Sequence, residues 1–199
     1  MKHPLLSILI PAAGSSERLG QLKQLVEYQS ETLIQNAVSA AQSTNPGEII
    51  IVTGAHAKTV KAAVRQAGVS WVNNPHWSKG MGGSIAKGAT SINTNSTGLM
   101  ILLCDQWRIQ AQDLQALAET WQSNPDRIVV AESGSVYMPP VIFPASCFDL
   151  LRNLKGHHGA RDLFNTHADL LIPVPLKNAA FDLDTQTHLD QLKKYTQGG

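Results

Sequence analysis

Residues 8–23, ILIPAAGSSERLGQLK, decide the fold and the candidate site of this chain. Ile8, Leu9 and Ile10 form an apolar run that predicts a buried strand. We expect Pro11 to end that strand, because proline has no backbone N–H to give to a neighbouring strand. The loop that follows has only small side chains, so its backbone N–H groups can approach an anion. Its residues are Ala12, Ala13, Gly14, Ser15 and Ser16.

Two basic residues, Arg18 and Lys23, follow this loop closely. Loop and cations together offer the donors and the positive charge that a triphosphate needs. The alternative is a tight strand-to-helix turn with two solvated basic residues, since a short Gly/Ser-rich turn is weak evidence by itself. The segment matches neither G-x-x-x-x-G-K-[ST] nor G-x-G-x-x-G. It therefore lacks the glycine fingerprint that a dinucleotide-binding redox enzyme would carry.

Length and composition predict one globular domain over residues 1–199. Apolar residues make up 43% of the chain and charged residues 16%, which excludes a disordered chain. The net charge of +1 favours neither nucleic acid nor a membrane surface as a partner. The first apolar run is too short for a signal or membrane segment. Cys104 and Cys147 lie in apolar settings and predict buried free thiols, which fits a cytoplasmic protein.

Strand and helix patterns alternate along the chain. Their order predicts a three-layer α/β/α fold with a mostly parallel, Rossmann-like sheet. Predicted strands cover residues 49–52, 69–72, 97–103, 127–132 and 170–174, and predicted helices cover residues 31–42, 58–67, 84–91, 111–123, 145–154 and 187–195.

Cys104, Asp105 and Gln106 directly follow the most continuously apolar strand, 97–103. Ligands of open α/β sheets bind outside the carboxyl ends of the strands, and Mg²⁺ bound to phosphates takes one or two protein carboxylates. Asp105 is therefore a candidate metal ligand; the alternative, a cap for the helix at 111–123, is weakened by the residues between them. Residues 73–84, NNPHWSKGMGGS, predict a loop that is either functional or a plain surface loop. His76 in this loop is not predicted to bind a metal, because no second His or Cys lies at metal-ligand spacing.

Four segments resemble one family. The segment A-A-G-S-S-x-R-L-G-x-x-K (residues 12–23) after an apolar strand resembles the signature of nucleotidyltransferases with a glycosyltransferase-A-like fold. It looks most like the MobA-like molybdenum cofactor cytidylyltransferase branch. The segments N-P-x-W-x-x-G-M-G-x-S, L-C-D-Q and D-L-D-T (starting at residues 74, 103 and 182) resemble further signatures, in the family's order.

The resemblance implies roles for individual residues. The small-residue loop would wrap the nucleotide phosphates, with Arg18 and Lys23 neutralising them and, with Asp105, carrying catalysis. The base and ribose would be held by Gly80, Met81, Gly82 and Ser84. Mg²⁺ would be bound by Asp105 and Asp184, with Asp182 as the alternative second ligand and a helix-capping Asp cluster as the non-functional alternative.

The implied activity is transfer of a nucleotidyl group, CMP from CTP, to a phosphorylated acceptor with release of pyrophosphate. CTP is implied because Pro11-Ala12-Ala13-Gly14 is similar to the form associated with cytosine, whereas guanine-using relatives carry L-A-G-G. Molybdopterin is the first acceptor implied; a sugar or alcohol phosphate, or a non-catalytic nucleotide-binding accessory protein for molybdoenzyme maturation, remains open. A molybdoenzyme or its chaperone is an implied partner, and we expect a monomer or weak homodimer.

The chain departs from the family pattern at several positions. Trp107 stands where the family usually has proline, Met138-Pro139 replace a Gly-His pair, and His157 replaces an aspartate. Adjacent side chains do not converge easily, so His157 and His158 are not predicted to bind a metal. Arg161 is either an anion clamp for the acceptor phosphate or the start of a helix reaching His167. Three tryptophans form either an aromatic pocket for a flat ring or part of the core and rim: Trp71, Trp77 and Trp107.

Overall fold

The computed structural model describes residues 5–157 and 159–197. His158 lies outside the described residues. In the described chain the strands are β1 (Leu6–Ala12), β2 (Glu27–Tyr28), β3 (Glu31–Thr32), β4 (Glu48–Thr53), β5 (Val69–Asn73), β6 (Gly98–Ile101), β7 (Ile128–Ser133), β8 (Val136–Pro144) and β9 (Leu171–Pro175). The helices are α1 (Leu33–Gln42), α2 (Ala57–Ala63), α3 (Met81–Ala89), α4 (Ala111–Ser123), α5 (Phe148–Arg152), α6 (Asp162–Thr166) and α7 (Gln186–Gln197).

The central sheet confirms the predicted α/β architecture. Its seven strands lie in the order β5-β4-β1-β6-β8-β7-β9. Strand β8 is antiparallel to both of its neighbours, whereas the remaining neighbours pair in parallel. The sheet is therefore mostly parallel, and β1 lies inside it between β4 and β6.

Strand β1 is buried because its alternating side chains enter two hydrophobic clusters. Ile8 and Ile10 pack in a cluster with residues of α1 and α4, and Leu9 packs in a second cluster with residues of α3 and α5. All three side chains have no exposed surface. Helices thus cover both faces of the sheet, which explains why the strand reads as a continuous apolar run.

Pro11 does not end β1, contrary to the prediction. It pairs in register with Val52 of β4, and the strand continues to Ala12. On the other side, β1 pairs with β6 only as far as Leu9. Proline is tolerated here because position 11 lies beyond the end of β6, so no ladder hydrogen bond on that side is lost.

Three helices differ from the prediction by three residues or more at one end. Helix α2 ends at Ala63, and the segment predicted as one helix from 145 divides into a 3₁₀ turn and the short α5. Helix α3 begins at Met81, so the preceding loop is shorter than predicted. The Gly82 N–H in its first turn donates to the Gly156 carbonyl over 2.9 Å. This long-range contact satisfies a helix N–H that local sequence cannot pair.

No helix of the described chain is both long and apolar enough to cross a membrane.

Gly98 is where β6 meets the fully buried ring of Trp121, and a Cβ at this position would overlap that ring. We expect Gly98→Ala to lower the free energy of unfolding by about 1–3 kcal/mol, the usual effect of overpacking a core. Urea denaturation checks this.

The matched control is Gly83→Ala in α3, where a Cβ would meet nothing within 4 Å. This variant should be more stable by about 0.5–1 kcal/mol, because alanine loses less backbone entropy than glycine in a helix. Equal effects of the two substitutions would contradict the packing around Gly98.

Candidate active site

A cavity of about 550 Å³, here called the main cavity, opens at the carboxyl ends of β1 and β6. The loop after β1 and the Cys104-Asp105 turn after β6 both line it. Most residues predicted from the sequence also line it: Ala13, Gly14, Ser15, Ser16, Arg18, Lys23, Gly80, Met81, Ser84, Asp105 and Asp184.

Two predicted binding residues lie behind the wall of the main cavity. Ala12 is 3% exposed and packs in the core cluster that contains Ile8 and Ile10. Gly82 is buried against the 155–156 backbone, where a Cβ would lie 2.7 Å from the Lys155 carbonyl oxygen. Both residues shape the wall, and neither lines the cavity.

The small-residue loop is held in shape by Gln24, which the sequence analysis missed. Its side chain is 1% exposed and its Nε2 donates to the carbonyl oxygens of Gly14 (3.2 Å) and Ala12 (3.4 Å). Ser16 adopts a left-handed conformation with φ of 59°, and its Oγ accepts from the Lys23 N–H over 3.2 Å. No periodicity marks such side-chain-to-backbone bonds, so only the position of Gln24 beside Lys23 hinted at a role.

Lys23 joins two carboxylates that are far apart in the sequence. Its Nζ donates to Asp105 Oδ2 and, over 3.0 Å, to Asp184 Oδ1. The side chains of Lys23, Asp105 and Asp184 are 20%, 9% and 28% exposed, so the group is largely shielded from water. Arg18 Nη2 lies 3.2 Å from Asp184 Oδ2, with a side chain that is 75% exposed.

Asp184, rather than Asp182, reaches the site. Leu183 is fully buried in a cluster with Trp107 and Leu189, and its N–H donates to the Asp105 carbonyl over 2.9 Å. This backbone bond holds the neighbouring Asp184 beside Lys23. The Asp184 N–H in turn donates to His188 Nδ1 over 3.3 Å. Asp182 is exposed.

Trp107, which stands where the family usually has proline, belongs to an aromatic group that packs α7 against the site. Its ring centroid lies 5.2 Å from that of Tyr28 and 5.3 Å from that of Tyr195. The Arg108 guanidinium lies 3.7 Å from the Phe181 ring centroid and 4.2 Å from that of Tyr195. The cation and the rings attract one another, which fixes the segment that carries Asp184.

The three tryptophans therefore have different surroundings. Trp77 lines the main cavity. Trp107 is 5% exposed within the aromatic group, and Trp71 packs on the core beneath Lys61. Of the three, Trp77 lines the main cavity, whereas the other two are packing residues.

The remaining departures from the family pattern lie in several places. His157 lines the main cavity, whereas Met138 packs on the core and the Pro139 carbonyl accepts from Gln106 Nε2 over 2.6 Å. Arg161 is exposed at the start of α6 and does not line the main cavity. Asp105 does not cap α4, because Gln110 forms that cap together with Asp113.

The charges of the site shift its pKa values. Burial by itself lowers the pKa of Lys23, but the carboxylates of Asp105 and Asp184 outweigh burial and raise that pKa above its ordinary value. Burial raises the pKa of Asp184, but Lys23, followed by Arg18, brings it below its ordinary value. Burial raises the pKa of the Cys104 thiol to about 12, so this thiol lining the cavity stays protonated and is not a nucleophile near neutral pH.

The acidic residues fit a divalent cation. Asp105 Oδ1 is buried and has no hydrogen-bond partner among the described residues. The described residues hold no group of three or more His, Cys, Asp or Glu side chains placed to bind a metal. Two carboxylates suffice for Mg²⁺, which completes its shell with phosphate oxygens and water. The Lys23 ammonium lies between the two carboxylates, which shows that the site accepts positive charge.

Comparison with known proteins now identifies the chain's family. The sequence model of the MobA-like NTP transferase domain matches residues 8–170, which include the small-residue loop, Lys23 and Asp105. The chain belongs to this family. Family membership confirms the resemblance found in the sequence and makes the protein a nucleotidyltransferase of the MobA-like type.

Two relatives are named for different functions. The purine catabolism protein PucB of Bacillus subtilis is 25% identical over 98% of this chain and 98% of its own length. The nicotine blue oxidoreductase of Paenarthrobacter nicotinovorans is 30% identical over 70% of this chain and 67% of its own length.

A solved structure shares the fold of this MobA-like protein. The crystal structure of Rv0371c from Mycobacterium tuberculosis has a TM-score of 0.85 and 22% identity, and covers 97% of this chain and 100% of its own. Rv0371c has also been solved in complex with manganese, with a TM-score of 0.81 and 19% identity, over 97% of this chain and 100% of its own.

The bridging contact makes a stability prediction that does not depend on activity. We expect Lys23→Met to lower the free energy of unfolding by about 3 kcal/mol, because it leaves the carboxylate of Asp105 buried without its cation. Urea denaturation in a chelator-containing buffer measures this. Asp105→Asn in the Lys23→Met background should recover part of the loss, with a coupling free energy of about 0.5–3 kcal/mol. Strictly additive effects would contradict a direct Lys23–Asp105 interaction.

Proposed function

We propose that this protein transfers a nucleotidyl group, CMP from CTP, to a phosphorylated acceptor, and that the acceptor is molybdopterin. The observation that supports this most strongly is the meeting of Lys23, Asp105 and Asp184 beside the small-residue loop. Such a site combines hydrogen-bond donors for phosphates with carboxylates for a cation, which is what a triphosphate substrate requires.

The reaction needs no side-chain nucleophile. An oxygen of the acceptor phosphate attacks the α-phosphorus in line, and the bond from that phosphorus to the bridging oxygen of pyrophosphate breaks. No general base is needed because the acceptor phosphate is already ionised. Catalysis then depends on positioning and on charge neutralisation, as in other phosphoryl transfers.

Each residue of the site has a part in this scheme. The loop from Ala13 to Ser16, braced by Gln24, binds the phosphates through its backbone N–H groups. Lys23 and Arg18 stabilise the negative charge that grows on the leaving pyrophosphate. Asp105 and Asp184 would hold Mg²⁺, which would supply charge neutralisation at the α-phosphate. Lys23 therefore exchanges its carboxylate partners for phosphate oxygens when substrate binds.

The choice of CTP rests on the first motif, and the choice of molybdopterin rests on the resemblance to the molybdenum cofactor branch of the family. Pro11-Ala12-Ala13-Gly14 is similar to the form associated with cytosine, and Ala13 lines the main cavity, where its methyl would leave less room for a purine base. Molybdopterin offers a flat ring and a phosphate, which suit Trp77 and the cationic rim. A sugar or alcohol phosphate, or nucleotide binding without turnover for molybdoenzyme maturation, would use the same cavity with a different second ligand.

An oxidoreductase is the second candidate function, favoured by the similarity to nicotine blue oxidoreductase. The main cavity would then hold a redox dinucleotide through the same phosphate contacts. The chain lacks the glycine fingerprint of the usual dinucleotide fold, which weighs against this candidate.

One incubation separates these candidates. Purified protein is mixed with CTP, Mg²⁺ and isolated molybdopterin, and the products are analysed by mass spectrometry. A cytosine dinucleotide of the pterin together with pyrophosphate supports the proposal. Parallel reactions with GTP, ATP and UTP test the base, and NAD(P)H oxidation with an added acceptor dye tests redox activity. Dye-dependent oxidation of NAD(P)H, without formation of the pterin–cytosine dinucleotide, would favour the oxidoreductase.

The two carboxylates at the site can be tested against a close control. We expect Asp105→Ala and Asp184→Ala to abolish turnover while circular dichroism shows an intact fold, because both remove a ligand for the cation. Asp182→Ala, two residues away and exposed, should keep wild-type turnover. Near-normal activity of Asp105→Ala at saturating Mg²⁺ would refute the metal assignment.

Lys23 makes a prediction about rate. We expect Lys23→Ala to lower kcat by about two to three orders of magnitude, the scale observed when one preorganised charge-stabilising donor is removed. Lys58→Ala on α2 is the control for loss of one positive charge, because Lys58 is exposed and does not line the main cavity. A loss below about threefold in kcat for Lys23→Ala would count against a role in the transition state.

A further inference from the structure

A second cavity of about 430 Å³, here called the basic cavity, lies beside α3 and the 152–156 segment. Its volume is in the range of small-molecule sites. Its charged lining is entirely basic: Lys79, Lys87, Arg152 and Lys155, with His76 beside them, and no Asp or Glu among the described lining residues.

This charge is concentrated rather than typical of the chain. Four of the 16 Lys and Arg residues line this one cavity, although the whole chain has a net charge of only +1. A cavity with walls of one sign focuses its field, so it attracts an anion more strongly than the same charges spread over a surface.

The lysines of the basic cavity have no carboxylate partner in the described chain. Lys79, Lys87 and Lys155 form none of the ion pairs found among the described residues. Arg152 pairs with Asp149 over 2.8 Å, but the Asp149 side chain is 86% exposed and does not line the cavity. Repulsion among these cations is therefore relieved by water and salt unless an anion binds.

One part of the lining of the basic cavity, here called its floor, consists of apolar residues, most of them small. Gly83 and Ala86 of α3 form part of it together with Leu154, and a Cβ at Gly83 would meet nothing within 4 Å. The space above the helix is thus open to a ligand. An apolar floor with a cationic rim suits an anion that carries an organic group as well as a bare phosphate.

The basic cavity is separate from the main cavity. Gly80 packs on the Gly156 carbonyl, and the Gly82 N–H donates to the same oxygen over 2.9 Å. This backbone contact forms a wall between the two spaces. We propose that the basic cavity is an anion site for a small phosphate-bearing ligand, independent of the nucleotide in the main cavity.

Chemical-shift mapping of the full chain tests this. The ¹⁵N–¹H spectrum is recorded during titration with inorganic pyrophosphate. We expect saturable shifts of the amides of Gly83, Ala86, Lys87 and Gly156. These shifts should titrate independently of any at Gly14 to Ser16, which report on the main cavity. A parallel titration with phenyl phosphate distinguishes the sources: tighter binding of the ester indicates a phosphorylated organic ligand, and tighter binding of pyrophosphate indicates an inorganic one.

Charge-matched variants locate the site. The Lys87→Ser/Lys155→Ser protein should bind either probe at the basic cavity about tenfold more weakly or worse, because charge-assisted contacts are lost. The Lys58→Ser/Lys194→Ser protein loses the same charge elsewhere and should bind as wild type. Equal weakening in both double variants, or no saturable shift at Gly83 and Gly156 in the wild-type protein, would overturn the proposal.

The result of the anion titration can be distinguished from the result of the turnover assay that tests the proposed function. Turnover reports on Lys23, Asp105 and Asp184, whereas the shifts at Gly83 and Gly156 report on binding alone. Pyrophosphate binding at the basic cavity would stand even if CTP were not a substrate, and turnover with CTP would stand even if the basic cavity bound neither probe.

Discussion

The contact of Lys23 with Asp105 and Asp184 is the interaction on which the site depends. Burying an ammonium or a carboxylate alone is costly, so each of these groups needs the others. Burial lowers the pKa of Lys23 and raises that of Asp184, yet both shift in the opposite direction overall because the partner charges are stronger. Lys23 and Asp184 can therefore stay ionised in a place shielded from water, where electrostatic interactions are screened less than at the surface.

Separate parts of the fold bring these charges together. The parallel sheet places the loop after β1 and the turn containing Asp105 at one edge, and Gln24 fixes the shape of that loop through the Gly14 carbonyl. The backbone bond from Leu183 to Asp105 adds the C-terminal segment. The packing of Trp107 and Arg108 with the aromatic rings keeps that segment in place. A residue that departs from the family pattern thus supports the site from behind rather than lining it.

The glycines of the 80–83 segment serve two neighbouring spaces. Gly80 and Gly82 allow the 155–156 backbone to pack directly on the start of α3, and this contact separates the main cavity from the basic cavity. Gly80 also lines the main cavity, and Gly83 lines the basic one. One short segment therefore shapes the main cavity on one side and the basic cavity on the other.

The sequence alone determined the α/β class and most of the order of strands and helices, because hydrophobic period carries that information, but it did not predict β2, β3 or β8. The resemblance to the family supplied the pairing of the small-residue loop and its cations with the two distant carboxylates. Only the tertiary structure decided between Asp182 and Asp184, because the choice depends on the burial of Leu183 and its bond to Asp105. It also decided that β1 passes through Pro11, since β6 ends earlier. The role of Gln24 and the clustering of four cations around one cavity could likewise not be predicted from the sequence. Contacts between distant segments produce no periodic pattern of residues.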